Sequence, residues 1–402
     1  MVDCDIDILI VGGGLTGAAL MLALANQGFS CLLVEANSFS DQLEAHFDAR
    51  SLAISPASVR ILQMLDAWPL LQDNAAAIET IHVSEQHHFG TARLQGEANN
   101  PLGYVLEIHH INRALYQLLD PKTLMAPGKL SAIDATTGVA TITRSTGDTT
   151  LRARLIVAAD GTNSSVRALC GLTTEIKDYT QHAIVANIGL SRPHQQCAYE
   201  RFTSTGPLAL LPLTGLRSSL VWAMPPLEAE RLMALPDAEF LTHLQRTFGY
   251  RLGRFMRTGQ RVVYPLKQVL MPQQVTGKVV FVGNAAHTLH PVAGQGFNLG
   301  LRDVAMLAQC IVREGLGPEM LLTYQQSRRH DQTVITRLTN GLVDLFTSQV
   351  PGMSLARSVG LMAVDNILLL KKLLARYARG YAGITPDLVC GIALQSPPHQ
   401  GS

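Results

Sequence analysis

Three glycine-rich crossings hold the residue types able to do chemistry. The first, DILIVGGGLTGAAL, places Gly12, Gly14 and Gly17 in GxGxxG spacing. The first glycine of such a motif turns the chain off a strand. The second lets backbone approach a pyrophosphate, and the third lets the helix lie close to the strand. The helix start then offers free N–H groups and a positive dipole end to phosphate. Glu35 lies 18 residues past Gly17 and ends the next apolar run. A carboxylate there accepts hydrogen bonds from ribose hydroxyls and repels a 2′-phosphate. The set implies an adenine dinucleotide, FAD or NAD.

The second crossing is RLIVAADGTNSSVR, residues 154–167. It brings Asp160 and Gly161 to a turn before a short helix, where Asp can serve as a helix cap or meet a ligand. The third is GNAAHTLHPVAGQGFNLGLRD, residues 283–303, after the apolar run KVVFVG. Gly283 and Asn284 close that strand, and the Asn284 side chain can hydrogen-bond a polyol. Gly294 and Gly296 line a loop before a helix that begins near Asn298. Backbone N–H groups from Gly294 through Gly296 and Phe297 to Asn298 suit a planar, electron-rich ring edge or an oxyanion. His287 and His290 flank this loop and could move a proton. Pro291 would shape the pocket beside it.

These crossings need a parallel sheet to carry them. Residues 5–11, 15–27 and 31–34 read as strand, helix and strand, a βαβ unit. Residues 50–70 read as helical, 78–110 as antiparallel strands and 111–119 as a helix. Residues 129–158 alternate as strands do, with turns at Thr137-Gly138 and Gly147-Asp148. From about 180 to 270 the runs AIVANIGL, PLALLPL and SSLVWAMP predict a second sheet, with one helix near 228–247. After 296 the chain reads as mainly helical to about 380. The α/β material is thus split, with a β-rich segment set into it.

Bulk composition narrows the class. The 402 residues are 47% hydrophobic and 16% charged, so the chain is globular with a large core. A formal net charge of +1 makes no case for nucleic acid as a partner. The start, MVDCDIDILIVGGG, is acidic where a secretory signal would be basic. No uncharged apolar run of about 18 residues exists to span a bilayer. The six cysteines lie far apart, without CxxC or zinc-type spacing, and read as reduced thiols packed as small hydrophobes; no metal site is expected.

With the three crossings in this order, the chain resembles the class A flavoprotein monooxygenases of the para-hydroxybenzoate hydroxylase type over about residues 5–340. GGGLTG is similar to the first FAD motif of that family and AADGTNSSVR to its Asp-Gly motif. GNAAHTLHPVAGQGFNLGLRD is similar to its Gly-Asp motif, with Asn284 where the family usually has Asp. Within the family, HPVAGQGFNLGLRD resembles the ubiquinone-biosynthesis hydroxylases, and most of all those acting on 2-octaprenyl-6-methoxyphenol. Supporting stretches are FDARSLAIS, ERFTSTGPLALLP, RLGRFMRTGQRVVYPL and YQQSRRHD.

The resemblance implies an α/β fold: a Rossmann-type FAD-binding domain, an inserted β-rich substrate domain and C-terminal helices. Residues 1–78, 105–180 and 273–340 would form the FAD domain, 79–104 and 181–272 the substrate domain, and 341–402 a helical C-terminal region. Gly12, Gly14, Gly17 and Glu35 would hold the adenosine end of FAD. Gly283, Asn284, Gly294, Gly296, Phe297 and Asn298 would hold the flavin end. Arg50, Arg113 and Asp160 fall where family members contact FAD. NADPH or NADH would reduce the flavin, and O2 would supply one oxygen atom to a polyprenylated phenol. His290 and Pro291 are the candidates for a catalytic role.

The run NILLLKKLLARYARGYAG, residues 366–383, could lie on anionic lipid as a basic amphipathic helix, giving a cytoplasmic protein peripheral to the inner membrane. A homo-oligomer or a quinone-biosynthesis complex is also expected. Three alternatives stay open. One is a sibling hydroxylase acting on another ring position or aromatic, another a non-catalytic FAD-binding subunit of a quinone-synthesis complex. The third, an NAD-dependent dehydrogenase, is disfavoured by the absence of a second nicotinamide-binding motif.

Overall fold

The computed structural model describes residues 5–38, 50–97, 99–290, 294–347, 353–381 and 383–395. Its first sheet is built on Ile6–Val11, which pairs in parallel with Cys31–Val34 on one side and Gly147–Ala158 on the other. Val279–Phe281 extends the sheet in parallel beyond Gly147–Ala158. Leu124–Met125 extends it beyond Cys31–Val34. Strands covered on both faces carry continuous apolar runs; accordingly Ile8, Leu9 and Ile10 are fully buried. The strands that end at the three crossings are neighbours, so all three open on the same sheet edge. That adjacency answers why glycine-rich turns so distant in sequence occur in one chain.

The second sheet is largely antiparallel. Its strands run His287–Thr288, Val262–Leu270, Glu175–Leu190, Arg217–Met224, Pro207–Leu213, Cys197–Phe202, Thr80–Glu85 and Thr91–Gln95, with Phe255–Thr258 also paired to Glu175–Leu190. One face packs under the helices Pro226–Met233 and Asp237–Phe248 through Leu208, Leu210, Leu220, Trp222 and Phe240. The other, inner face meets a small third sheet of Ser51–Ile54, Gly103–Glu107 and Ala76–Ile78. Ala198 and Leu211 on that inner face share an apolar cluster with Ala53 and Val105 of the third sheet.

Several elements differ from the sequence reading. Residues 50–70 do not form one helix. Ser51–Ile54 is a strand held by Gly103–Glu107, and the helix Pro56–Met64 starts only after Ser55, whose hydroxyl caps Ser58 N–H at 3.3 Å. The proline at the helix start has no N–H to lose there. The helix expected at 228–247 is two helices, with Pro236 at the break. The strand Glu175–Leu190 lies wholly in the second sheet, so the expected division at 180/181 cuts through it, and the division at 104/105 cuts Gly103–Glu107. Hydrogen-bond partners far along the chain determine those strand ends, and no local pattern records them. The run 366–383 forms the helix Leu368–Ala378, separated from Met353–Asn366 by Ile367.

Candidate functional site

At the first crossing, two glycines answer to the protein itself. Gly12 has φ +105°, and a Cβ there would lie 2.6 Å from the carbonyl carbon of Ala159. A Cβ on Gly17 would lie 1.9 Å from the Gly12 oxygen. Gly14 is different: its added Cβ would meet nothing within 4 Å. Protein packing therefore leaves room in front of Gly14 for backbone to approach a ligand. Gly161 and Gly296 are open in the same way.

Glu35 sits beside this turn and is buried. Its Oε2 accepts from Gly13 N–H at 2.7 Å and its Oε1 from Asn37 N–H at 2.9 Å. Tyr116 donates its hydroxyl to the Gly13 carbonyl at 2.6 Å, and burial, with Glu35 nearby, raises its pKa. A cavity of about 350 Å³ opens here, lined by Gly12, Gly14, Glu35, Lys129, Asp160 and Gly161. Ser164 caps the short helix, accepting from Arg167 N–H at 3.0 Å, and Asp160 braces its first turn: Oδ2 accepts from Val166 N–H at 3.1 Å and from Ser165 Oγ at 3.0 Å. Its Oδ1 is buried and has no partner among the described residues. A wider hollow of about 640 Å³, by Met233, Asp237 and Arg261, contains none of these groups and lies away from the crossings.

At the third crossing, Gly283 has φ +57° and its Cβ would strike the Thr16 hydroxyl at 2.7 Å, so this turn is pressed against the helix of the first crossing. Gly294 is left-handed at φ +59°, and its Cβ would stand 2.9 Å from that of Ala53. Asn298 is buried and spends its side chain on backbone. It donates to the carbonyls of Ala53 and Gly294, both at 2.8 Å, and accepts from Ser55 N–H at 2.8 Å. Its side chain is thereby committed to holding the loop. The Asn284 side chain is exposed.

The helices Leu15–Leu24 and Gln295–Glu314 start at Gly14 and Gly294. Neither has a side-chain cap or an acid in its first turn. Free N–H groups at such starts, with the dipole behind them, attract negative charge. FAD carries its pyrophosphate at one place and an electron-rich pyrimidine edge at another. Two uncapped helix starts, three open glycines and a ribose-type carboxylate fit that molecule.

Behind the third crossing lies a buried ionic hub that sequence reasoning missed. Asp303 accepts from Gly283 N–H at 3.0 Å, His287 Nε2 at 2.5 Å, Arg328 Nε at 2.7 Å and Gln332 Nε2 at 3.2 Å. Arg328 also reaches Asp331 at 2.6 Å, and Arg302 reaches Asp331 at 2.9 Å. Burial alone would raise the Asp303 carboxyl, but His287 and Arg328 hold it well below the usual range. Burial likewise opposes the Arg328 charge, and Asp303 and Asp331 more than restore it. The signal in sequence was the pair Arg302-Asp303 inside an otherwise apolar helix, LGLRDVAMLA. Charges so placed must find buried partners.

Of the proton-transfer candidates, His290 is buried edge-on to Tyr179, with ring centroids 4.8 Å apart. Burial, with Lys177 nearby, holds it down to about 4, so it stays neutral at pH 7. Pro291 lies outside the described residues. Arg50 is exposed, with its guanidinium 5.8 Å from the Tyr264 ring centroid on the inner face of the second sheet. Arg113 is exposed, three residues before Tyr116 on the helix Ile108–Leu118. Phe297 packs against the main core from a half-buried position.

A Rossmann-type sheet with a second glycine loop, under a separate antiparallel sheet, is the plan of FAD-dependent aromatic monooxygenases. Residues 5–339 match the family described as FAD binding domain. The chain is 38% identical to the ubiquinone hydroxylase UbiL of Rhodospirillum rubrum, covering 95% of this chain and 91% of that one. It is 32% identical to the 3-demethoxyubiquinol 3-hydroxylase of Escherichia coli K12, covering 93% and 98%. The p-nitrophenol 4-monooxygenase PnpA of Pseudomonas putida shares the fold, with TM-score 0.78 at 18% identity over 94% of this chain and 98% of that one. The chain belongs to the FAD-binding monooxygenase family, in the group of the ubiquinone-biosynthesis flavin hydroxylases.

Proposed function

We propose that this enzyme hydroxylates the aromatic ring of a polyprenylated phenol, 2-polyprenyl-6-methoxyphenol, in ubiquinone biosynthesis. The observation that carries the reading is the apolar inner face of the second sheet, set over the strand Ser51–Ile54 that grips the Gly294 loop. A ring and a long aliphatic tail need such a face, and a planar ring held there would be shielded from water. Bound FAD supplies storage for the two electrons of NADPH or NADH and activation of O2. The chain's own task is to hold the phenol against the loop, exclude water and favour negative charge at the helix start. The relatives named as ubiquinone hydroxylases support the same assignment.

One experiment tests it. The purified holoenzyme is mixed aerobically with NADPH or NADH and a prenylated methoxyphenol. The expected result is a flavin spectrum whose bleaching accelerates with the phenol, together with a product heavier by one oxygen. Flavin that is never reduced, or reduction without product, counts against the reading. A second reading, attack at another ring carbon, draws support from the Escherichia coli relative named a 3-hydroxylase. The position of the new hydroxyl in the product separates the two.

We also infer peripheral contact with anionic lipid through the helix Leu368–Ala378. No helix among the described residues is long and apolar enough to cross a membrane. Of the four cations in this region, Lys371 bonds Asp365 at 2.9 Å and Arg379 donates to the Asn100 carbonyl at 3.1 Å. Lys372 and Arg376 are exposed and supply the charge for a lipid surface.

A further inference from the structure

We propose that Glu200 is the base that takes the proton from the phenol hydroxyl of the substrate. The proposal rests on the aromatic-hydroxylase reading above and assigns a residue to the step that reading leaves without one.

Strand register places Glu200 on the inner face. It stands opposite Val83 on one neighbouring strand and Ala209 on the other. The row continues through Ala92 on one side and through Val221, Val185 and Val262 on the other. Every other residue of that row is Ala or Val, so Glu200 is the one carboxylate of an otherwise apolar row. Paired residues share a face, and rows two residues apart along a strand share it too.

The flanking rows show what this row looks toward. In the row on one side, Asn187 donates to Glu107 Oε1 at 3.0 Å, and Ala198 and Leu211 pack with Ala53 and Val105. Glu107 ends the strand paired to Ser51–Ile54, and Ala53 and Ser55 are where Asn298 fastens the Gly294 loop. In the row on the other side, Tyr264 lies under Arg50. Glu200 therefore sits between two rows that both touch the lobe carrying the loop. It is half-buried, as are Val83, Ala209, Val221 and Val262 of its row.

Charge pairing sets Glu200 apart. Glu85, on the same face of the sheet, is bound by Arg357 at 2.6 Å and 2.9 Å. Glu107 is bound by both terminal nitrogens of Arg217, at 3.1 Å and 3.0 Å. Glu200 has no hydrogen-bond or ion-pair partner among the described residues. Burial alone pushes its carboxyl up to about 7, with no contribution from Glu85, Glu107, Tyr264 or their arginines. An unpartnered carboxyl in an apolar cleft is costly, and a base serves best when it titrates near the working pH. The apolar row also suits the substrate's ring.

The step balances without a further reagent. The phenol O–H bond breaks and an O–H bond forms on a Glu200 carboxylate oxygen. The electron pair stays on the phenolate oxygen, where it enriches the ring carbons that accept oxygen. Because Glu200 would touch the reacting group, it is a catalytic residue in this assignment.

The test uses Glu200→Gln and Glu200→Asp in the holoenzyme, each checked for wild-type flavin content. The first probe is a prenylated nitrophenol whose phenolate absorbs in the visible. Wild type should ionise the bound probe, with a limb near pH 7. Glu200→Gln should bind it as the neutral phenol. With the methoxyphenol substrate, Glu200→Gln should lose about 100-fold or more in kcat, with KM changed far less. Glu200→Asp should recover part of that loss and restore a titrating limb. If Glu200→Gln ionises the probe as wild type does, or keeps kcat within about twofold, the assignment is overturned. If wild type ionises the probe yet oxygenates no phenol, the proposed function fails while the proton acceptor stands.

Discussion

Around Gly12 the chain is positioned by close backbone contact, whereas around Gly283 it is positioned by buried charge. The first turn needs residues that follow one another: a strand, three glycines, a helix and the next strand with Glu35. Its cost is steric, and a misplaced methyl group would meet backbone that cannot move. The second turn is tied at Gly283 N–H to Asp303, and Asp303 is held by Arg328 and Gln332 from a different helix. Its cost is desolvation, offset only while every partner is present. The first design is local and rigid. The second couples the loop to the helix Pro318–Thr347, so damage far from the loop should reach it.

The largest expected effect therefore comes from the charged side. Arg328→Ala leaves Asp303 and Asp331 buried with one cation removed, and should cost about 3–5 kcal/mol in urea unfolding, with FAD lost in parallel. A cost below about 1 kcal/mol would erase the distinction between the two turns.

On the steric side, Gly12→Ala should cost about 3 kcal/mol, from the positive φ together with the clash at Ala159. Gly14→Ala should leave apoprotein stability within about 0.5 kcal/mol. Its effect should appear as FAD affinity lowered at least about tenfold, read by flavin fluorescence on titration. Equal stability losses in the two variants would mean that the open space before Gly14 is not kept for a ligand.

A third test uses protons. His290 titrates at about 4 when folded, held down by burial and by Lys177. Its ordinary value is about 6.5. As pH falls through about 6.5, the unfolded chain takes the proton and the folded chain does not. The stability contributed by a neutral His290 is complete above that value and declines toward pH 4. The loss should reach about 2 kcal/mol by pH 5, and His290→Gln should remove that share of the slope in urea midpoints between pH 7 and pH 5, leaving the share of His82, which burial also holds down to about 4. The depressed Asp303 carboxyl acts in the same direction only below about pH 4, where unfolded Asp protonates. The smallest effect concerns lipid: Lys372→Glu with Arg376→Glu should lower flotation with anionic vesicles about tenfold, and unchanged binding would remove that contact.

The dinucleotide turn was legible because its parts lie within 35 residues and obey hard-sphere limits that any chain must obey. Alternating runs also announced the second sheet, since a half-covered strand must sort its side chains by face. The ionic hub was not legible in that way. Arg302-Asp303 in an apolar helix signalled buried charge, but nothing local names Arg328 or Asp331 as the partners. The strand Ser51–Ile54 was read as helix because its β identity depends on Gly103–Glu107, about 50 residues on.

By itself the sequence determined the cradle for an adenine dinucleotide, the second glycine loop and the split of α/β material around a β-rich insert. Each depends on short-range sterics or on periodicity, which a linear string records. Only the tertiary structure decided which charges meet, which sheet face lies over the loop, and that Glu200 lacks the cation that Glu85 and Glu107 each have among the described residues. Those outcomes depend on register and on distance in space, and burial gives them their energy.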